Sequence, residues 1–278
     1  MNATTDWYEV DALDERSWLI RELDRYNAYL LEGDDEALLV DTGCGVGDIR
    51  GLVEGLTDLP VRLLLTHTHW DHIGNAAQFD DVLAHPRECT PEGTVAIDGL
   101  ADDWVHRPTQ ALSSWREEGI ALPDAFDGDD YSIDPVSNVE PVYPGDVLDL
   151  GNRRLELLAL PGHSPGMLGV LDRAQKTLYG ADLIGGSYRQ LAHFSNADPS
   201  AYLSSVRLAR DLAAAGAFDT LATGHILPIS GDELDVLGRL ASAFAAVVAG
   251  DEAGTPVESR YGPATEYDFE EFLILTRR

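Results

Sequence analysis

The sequence predicts the α/β fold class, and three observations carry that expectation. Strand and helix signals alternate through the first third of the chain. The continuous apolar run "VRLLL" at 61–65 fits a strand buried on both faces. The second half repeats a strand-rich and then helical pattern, without a detectable sequence repeat. The 278 residues suffice for one large domain with a sizeable core, or for two small ones, and the reading taken is a single domain, 1–278. An apolar content of 44% places the chain among globular proteins and not disordered ones.

Residues 27–43, "NAYLLEGDDEALLVDTG", read as two strands joined by a polar Gly-Asp-Asp turn. In 46–56, Ile49, Leu52, Val53 and Leu56 fall on one helical face. "VRLLL" lies between Pro60 and a cluster of histidines. That cluster therefore occupies the loop at the strand's C-terminal end, where α/β folds commonly build their sites. "DVLAHP" (81–86) is a further strand. Residues 90–140 then break the rhythm: Gly, Pro and Asp are frequent, with Trp104, Trp115 and Tyr131 among them. This segment reads as a lid-like insertion, partly helical around 109–119.

Regularity returns with "DVLDLGNRRLELLAL" (146–160), a hairpin turning at Gly151-Asn152. Two strands follow near 167–172 and 177–180. Asp198 as N-cap and Pro199 at the first helical position open a helix within 196–216. Strand "TLATG" (220–224) comes next. A C-terminal extension over about 230–278 then holds a helix at 232–249 and the strand-like "FLILTRR". That last strand suits a sheet edge, a dimer contact or packing on its own domain.

The charge balance is extreme: 19 basic against 49 acidic residues give a net charge of −30. Lys176 is the single lysine. The acids are dispersed from Asp6 to Glu271, which excludes an acidic tail. Dispersed acid with almost no lysine resembles proteins adapted to a cytoplasm of molar salt, where carboxylates keep the surface hydrated. The same balance argues against nucleic acid as a partner, since phosphate backbones need clustered Lys and Arg. At molar salt the Debye length is about 3 Å, so a small anionic substrate is not repelled at long range. Cys44 and Cys89 suggest a reducing compartment. No basic-then-apolar leader and no apolar stretch of membrane-spanning length stands out. The expectation is a soluble, cytoplasmic protein with a small-molecule partner, no membrane and no indicated oligomer.

The chemistry concentrates in "THTHWDHIGN" (66–75). Alternate residues of an extended segment point the same way, so His67 and His69 converge on one cation. Asp71 and His72, past a turn, face a neighbouring one. Imidazole with carboxylate suits Zn²⁺, and also Fe²⁺ or Mn²⁺. Later strands each end in one more candidate: His163 in "LPGHSPG", Asp182 in "LYGADLI" and His225 in "LATGHIL". Two sets result: His67, His69 and His163 for one ion, and Asp71, His72 and His225 for the other. Asp182 bridges them.

With "LLVDTG" (38–43), "PGHSPG" (161–166), "YGADL" (179–183) and "ATGH" (222–225), these motifs resemble the metallo-β-lactamase superfamily, specifically its di-metal hydrolases. The resemblance spans roughly residues 25–230 and includes all seven ligand positions. It implies an αββα sandwich with two divalent ions at one edge between the sheets. It also implies a hydroxide bridging the ions that cleaves an ester, thioester or lactone-like bond. Asp41 is then an orienting residue behind the ligands, and Asp71 doubles as the proton acceptor of the catalytic water.

Within that family, the commonest true β-lactamases carry a cysteine where this chain has Asp182. Flavodiiron reductases carry a glutamate within the histidine motif, and this chain does not. Ribonucleases of the superfamily need a basic surface. Glyoxalase II enzymes share the ligand set but bind glutathione with basic residues of a C-terminal helical part, and here 230–278 holds four arginines and no lysine, which gives glutathione specificity little support. Lactonases place a tyrosine three residues after the bridging aspartate, where Gly185 stands here. A mono-iron persulfide dioxygenase and a non-catalytic metal-binding module are the rival readings. Trp70, Tyr188 and Arg189 are the substrate-pocket candidates. His85, His106 and His193 fall outside the ligand pattern.

Overall fold

The computed structural model describes residues 3–4, 7–97, 106–259 and 262–277; Trp104 lies outside the described residues. The chain divides into two compact units. The first is Met1–Tyr143 with Asp149–Arg153, and the second is Pro144–Leu148 with Arg154–Arg278.

The first unit is built on an eight-stranded sheet whose spatial order follows the chain. Its strands are β1 (Ala3–Thr4), β2 (Tyr8–Asp14), β3 (Ser17–Glu22), β4 (Tyr26–Glu32), β5 (Ala37–Val40), β6 (Val61–Leu65), β7 (Val82–Ala84) and β8 (Val139–Pro141). The first five form an antiparallel meander. From β5 onward the pairing is parallel, because helical or long connections return the chain to the same end each time. Leu63, Leu64 and Leu65 of β6 are fully buried, as expected for a strand with parallel neighbours on both sides.

Helix α1 (Ile49–Leu56) connects β5 to β6, capped by Asp48, and buries Ile49 and Val53. The short α2 (Trp70–Ile73) follows β6. Three loops therefore gather at the C-terminal ends of adjacent parallel strands: 41–45 after β5, 66–72 after β6 and 85–88 after β7.

Within 90–140, α3 (Arg107–Glu117) occupies the stretch read as partly helical. Its Trp115 is buried, with its ring 6.2 Å from both Trp7 and Trp70. The Tyr131 hydroxyl donates to the Cys44 carbonyl, and Arg25 pairs with Glu118. The described part of the insertion is thus fastened to its own unit by an aromatic anchor, a partly buried hydrogen bond and an exposed ion pair.

The second unit holds two sheets. The six-stranded one runs β15-β14-β12-β11-β10-β9, and the four-stranded one β13-β18-β17-β16. The strands are β9 (Val147–Asp149), β10 (Arg154–Ala159), β11 (Leu168–Asp172), β12 (Thr177–Tyr179), β13 (Arg189–Ala192), β14 (Thr220–Ala222), β15 (Ile229–Ser230), β16 (Thr255–Ser259), β17 (Gly262–Asp268) and β18 (Leu273–Thr276). The β9–β10 hairpin turns at Gly151 and Asn152, both with positive φ (78° and 57°), the backbone that an Asn/Gly pair supplies.

Asp198 caps α4 (Pro199–Ala214) by accepting from Ser200 N and Ala201 N. Helix α5 (Val236–Ala249) follows a capping box of Ser230 and Glu233. Both helices bury residues in one core with Leu171, Leu178, Leu221 and Ile274. The C-terminal "FLILTRR" does form a strand, and β18 sits inside its sheet between β13 and β17. No helix of the described residues is long and apolar enough to cross a membrane.

Candidate metal-ligand clusters

In the first unit the ligand segment leaves β6 in extended form, and α2 begins at Trp70. His67, His69 and His72 are buried. The His67 ring lies 4.5 Å from His69 and 4.1 Å from His72. Asp71 is half-buried on the same turn of helix as His72.

Asp41 organises this cluster from the loop after β5. Its backbone is left-handed, φ 62°, a conformation Asp tolerates better than most residues. Asp41 Oδ1 accepts from Thr66 N at 2.8 Å, and Oδ2 accepts from the Thr66 hydroxyl at 2.7 Å. The same Oδ2 accepts from His72 Nδ1 at 2.8 Å. Because Thr66 gives its own hydrogen to Asp41, its oxygen accepts from His67 Nδ1, 3.1 Å away. One carboxylate thereby fixes the tautomer of two imidazoles and leaves each Nε2 as a lone-pair donor. Thr42 N and Thr42 Oγ1 both donate to the His72 carbonyl, and Gly74 N donates to Gly43 O. The loops after β5 and β6 are stitched together.

In the second unit the candidates stand on separate turns. His163 follows β10, Asp182 follows β12 and His225 follows β14. Strands β12 and β14 are parallel neighbours, with Tyr179 opposite Ala222, so Asp182 and His225 emerge side by side. His163 Nε2 and His225 Nε2 lie 3.1 and 3.0 Å from Asp182 Oδ2. Two donors bound to one tetrahedral ion at about 2.05 Å stand about 3.3 Å apart, so these separations are close to those of ligands around a cation.

His163 Nδ1 donates to the Leu191 carbonyl at 2.8 Å, the backbone counterpart of Asp41's role. The Tyr202 hydroxyl reaches the Asp182 carbonyl and Gln190 Oε1, and burial pushes its pKa up. Ala181, just before Asp182, has φ 47°, a strained backbone held by Gly224 N donating to its carbonyl.

The remaining sequence candidates fall as follows. Trp70 is buried edge-on against Tyr26, 5.7 Å between ring centres. Tyr188 packs on Phe272, and Arg189 is exposed on β13. His193 is buried against Phe194; His85 caps the turn Pro86–Glu88. Two residues near the clusters escaped the sequence reading. Glu22 is buried at the end of β3, where Oε2 accepts from Cys44 N at 2.7 Å and Oε1 accepts from Trp7 Nε1. Burial pushes its carboxyl up to about 7, against the lowering effect of those hydrogen bonds. Glu88, also buried, accepts from Thr68 N at 3.1 Å. Each is one acid among 49, and no local pattern marks either.

The profile of the metallo-beta-lactamase superfamily matches residues 21–225, which spans both units. An acyl-coenzyme A thioesterase, MBLAC2 of Gallus gallus, is 28% identical over 79% of this chain and 78% of its own length. The hydroxyacylglutathione hydrolase GloC of Haemophilus influenzae is 30% identical over 63% of this chain and 74% of its own. Among solved structures, a metallo-beta-lactamase family protein from Thermus thermophilus aligns with a TM-score of 0.59. It shares 24% identity, over 86% of this chain and 82% of that one.

Proposed function

The chain belongs to the metallo-β-lactamase superfamily and is a hydrolase of its fold, and from that membership we propose a binuclear hydrolase of small-molecule thioesters. The observation that carries the reading is the donor set. Buried imidazoles with fastened Nδ1 atoms, and a carboxylate at ligand spacing from two further imidazoles, are what a borderline cation such as Zn²⁺ takes up. His67, His69 and His163 would hold one ion, and Asp71, His72 and His225 the other, with Asp182 shared. When bound, such a pair lowers the pKa of a captured water towards neutral and polarises a substrate carbonyl.

The protein's own residues supply the rest. Asp71, a half-buried carboxylate on the ligand turn, would be the residue to accept a proton from such a water. Asp41 keeps His67 and His72 in the tautomer that presents Nε2. Trp70, Tyr188 and Arg189 are the side chains proposed to contact the substrate. The exposed Arg189 guanidinium suits the phosphate or carboxylate tail of a coenzyme A or glutathione thioester. Those anions approach a chain of net charge −30; molar salt, with a Debye length of about 3 Å, removes the long-range penalty. The thioesterase and GloC likenesses support the thioester class. The thiols of Cys44 and Cys89 are free, which suits a reducing cytoplasm.

The test pairs metal analysis with turnover. Protein purified at high salt without added metal is measured by plasma mass spectrometry, then offered acyl-coenzyme A and acylglutathione thioesters with thiol release as readout. The expected result is about two zinc or manganese ions per chain and thiol release. About one iron per chain, with oxygen uptake on persulfides and no thiol release, overturns the reading.

A further inference from the structure

The ligand segment is gripped from a second side. Thr68 stands between His67 and His69, and in an extended chain its side chain points away from theirs. Both of its polar groups meet Glu88, in the loop after the neighbouring strand β7. Thr68 N donates to Glu88 Oε2 at 3.1 Å. The Thr68 hydroxyl lies 3.0 Å from the Glu88 carbonyl oxygen and 3.2 Å from Oε2. Glu88 is 1% exposed and Thr68 4%.

Burying a carboxylate is costly unless charge-assisted hydrogen bonds offset it, and this chain leaves most of its acids at the surface. The turn that carries Glu88 is itself well defined. Pro86 opens it, Glu88 N donates to His85 O at 2.8 Å, and Arg87 N donates to His85 Nδ1 at 3.0 Å. A short, pre-set turn thus delivers one buried acid to one peptide.

That peptide is the one whose orientation matters. Fixing Thr68 N and its side chain fixes the two peptide planes flanking Thr68, and with them the directions of the His67 and His69 Cα–Cβ bonds. We propose that Glu88 is a positioning residue for the metal-ligand segment, setting through Thr68 the spacing and aim of His67 and His69. Asp41 acts on Thr66, His67 and His72 from the β5 side; Glu88 acts on Thr68 from the β7 side. The segment 66–72 is held between two buried acidic side chains from the loops that follow the two strands flanking β6. This inference rests on the metal-binding reading above, and not on the identity of the substrate.

The experiment measures zinc affinity of the full chain by competition with a chromogenic chelator, alongside the thermal midpoint of the metal-free protein. Glu88→Ala should weaken zinc binding by about 10- to 100-fold, the usual cost of losing a residue behind a ligand. Thr68→Val should lose about 10-fold, and Thr68→Ser, which keeps the hydroxyl, should stay within about twofold of the unaltered protein. Leu19→Ala, in the core of β3, is the control: it lowers the thermal midpoint and leaves zinc affinity in place.

If Glu88→Ala does not fold, Glu88→Gln and Thr68→Val decide the matter. Unaltered zinc affinity in both overturns the proposal, as does a loss that Leu19→Ala reproduces. If the unaltered protein binds no zinc, the metal reading falls and this inference with it. If it binds zinc but cleaves no thioester, only the substrate class falls.

Discussion

In the first unit four candidate ligands come from the single segment 67–72; in the second, three come from turns that follow β10, β12 and β14. The two arrangements need different support. A short segment with several imidazoles has no register of its own, so neighbouring loops must hold it, and the Asp41 and Glu88 side chains do so with hydrogen bonds. Dispersed ligands inherit their placement from strand pairing. Asp182 and His225 stand side by side because β12 and β14 are paired in register, and Gly180 N and Gly224 N close the strand ends onto Ala222 O and Ala181 O. A compact motif therefore depends on side chains outside it, and a scattered one on backbone.

The sharpest way to break that comparison is to alter one residue of each kind. Asp182→Asn removes the charge proposed to be shared by both ions. The expected result is a fall in thioester turnover of roughly 10³-fold, corresponding to about 4 kcal/mol of lost stabilisation of developing charge, and a drop in metal content. Asp41→Asn keeps an acceptor for Thr66 N but sets an amide N–H₂ towards donors. It should weaken metal binding by about 10- to 100-fold and leave measurable turnover. Equal losses in the two variants would show that the supporting carboxylate is no less essential than the ligand.

Backbone substitutions come next in size. A Cβ on Gly74 would stand 2.1 Å from Cys44 C and 2.2 Å from Gly45 N. A Cβ on Gly162, whose φ is 134°, would stand 2.3 Å from both Tyr202 N and Cα. Neither neighbour is a flexible side chain, so Gly74→Ala and Gly162→Ala should each cost about 3 kcal/mol or more in denaturant titrations. The second unit should suffer more, because Gly162→Ala adds a left-handed backbone to the clash. A cost under about 1 kcal/mol at Gly74 would mean that the loops after β5 and β6 yield easily, and the stitched arrangement would lose its meaning.

What was legible in the sequence follows the same division. The histidine cluster could be read because an apolar run stops and imidazoles begin at once, and α1, the Gly151-Asn152 hairpin and the Asp198 cap each carry local signals. Asp41 was named only through family likeness; its grip on Thr66 and His72 depends on β5 and β6 being neighbours. Glu22 and Glu88 carry no local signal at all. Their roles arise from strands adjacent in space, and one acid among 49 looks like any other. Strand β13 was missed for a related reason. Its four residues become a strand by pairing with β18, more than eighty residues away, and propensity in so short a run is overridden by partners.

Glu22 supplies the last test, and it asks whether the support of the first unit responds to pH. The carboxyl is raised to about 7 by burial, and Asp71 of α2 adds to the rise. Tyr8, Cys44 and Tyr131 face the same interior, and burial with the Glu22 charge pushes each of them up, so they stay neutral there. A folded pKa of about 7 against about 4.3 in the unfolded chain means that the native state binds more protons between those values. Stability from this group is therefore fully present below about pH 4 and is lost as pH rises through about 7. For metal-free protein the loss should be on the order of 4 kcal/mol, flattening above about pH 7. Glu22→Gln cannot titrate, so its curve should lack that slope. The amide also presents N–H₂ to either Trp7 Nε1 or Cys44 N, so the variant should be less stable than the unaltered protein near pH 5. At pH 8 the order should narrow or reverse, because the unaltered chain then buries a charge. Denaturant midpoints across pH 4 to 8 decide it: a slope that survives in Glu22→Gln belongs to another group, and the first unit's loops would then be held independently of this carboxyl.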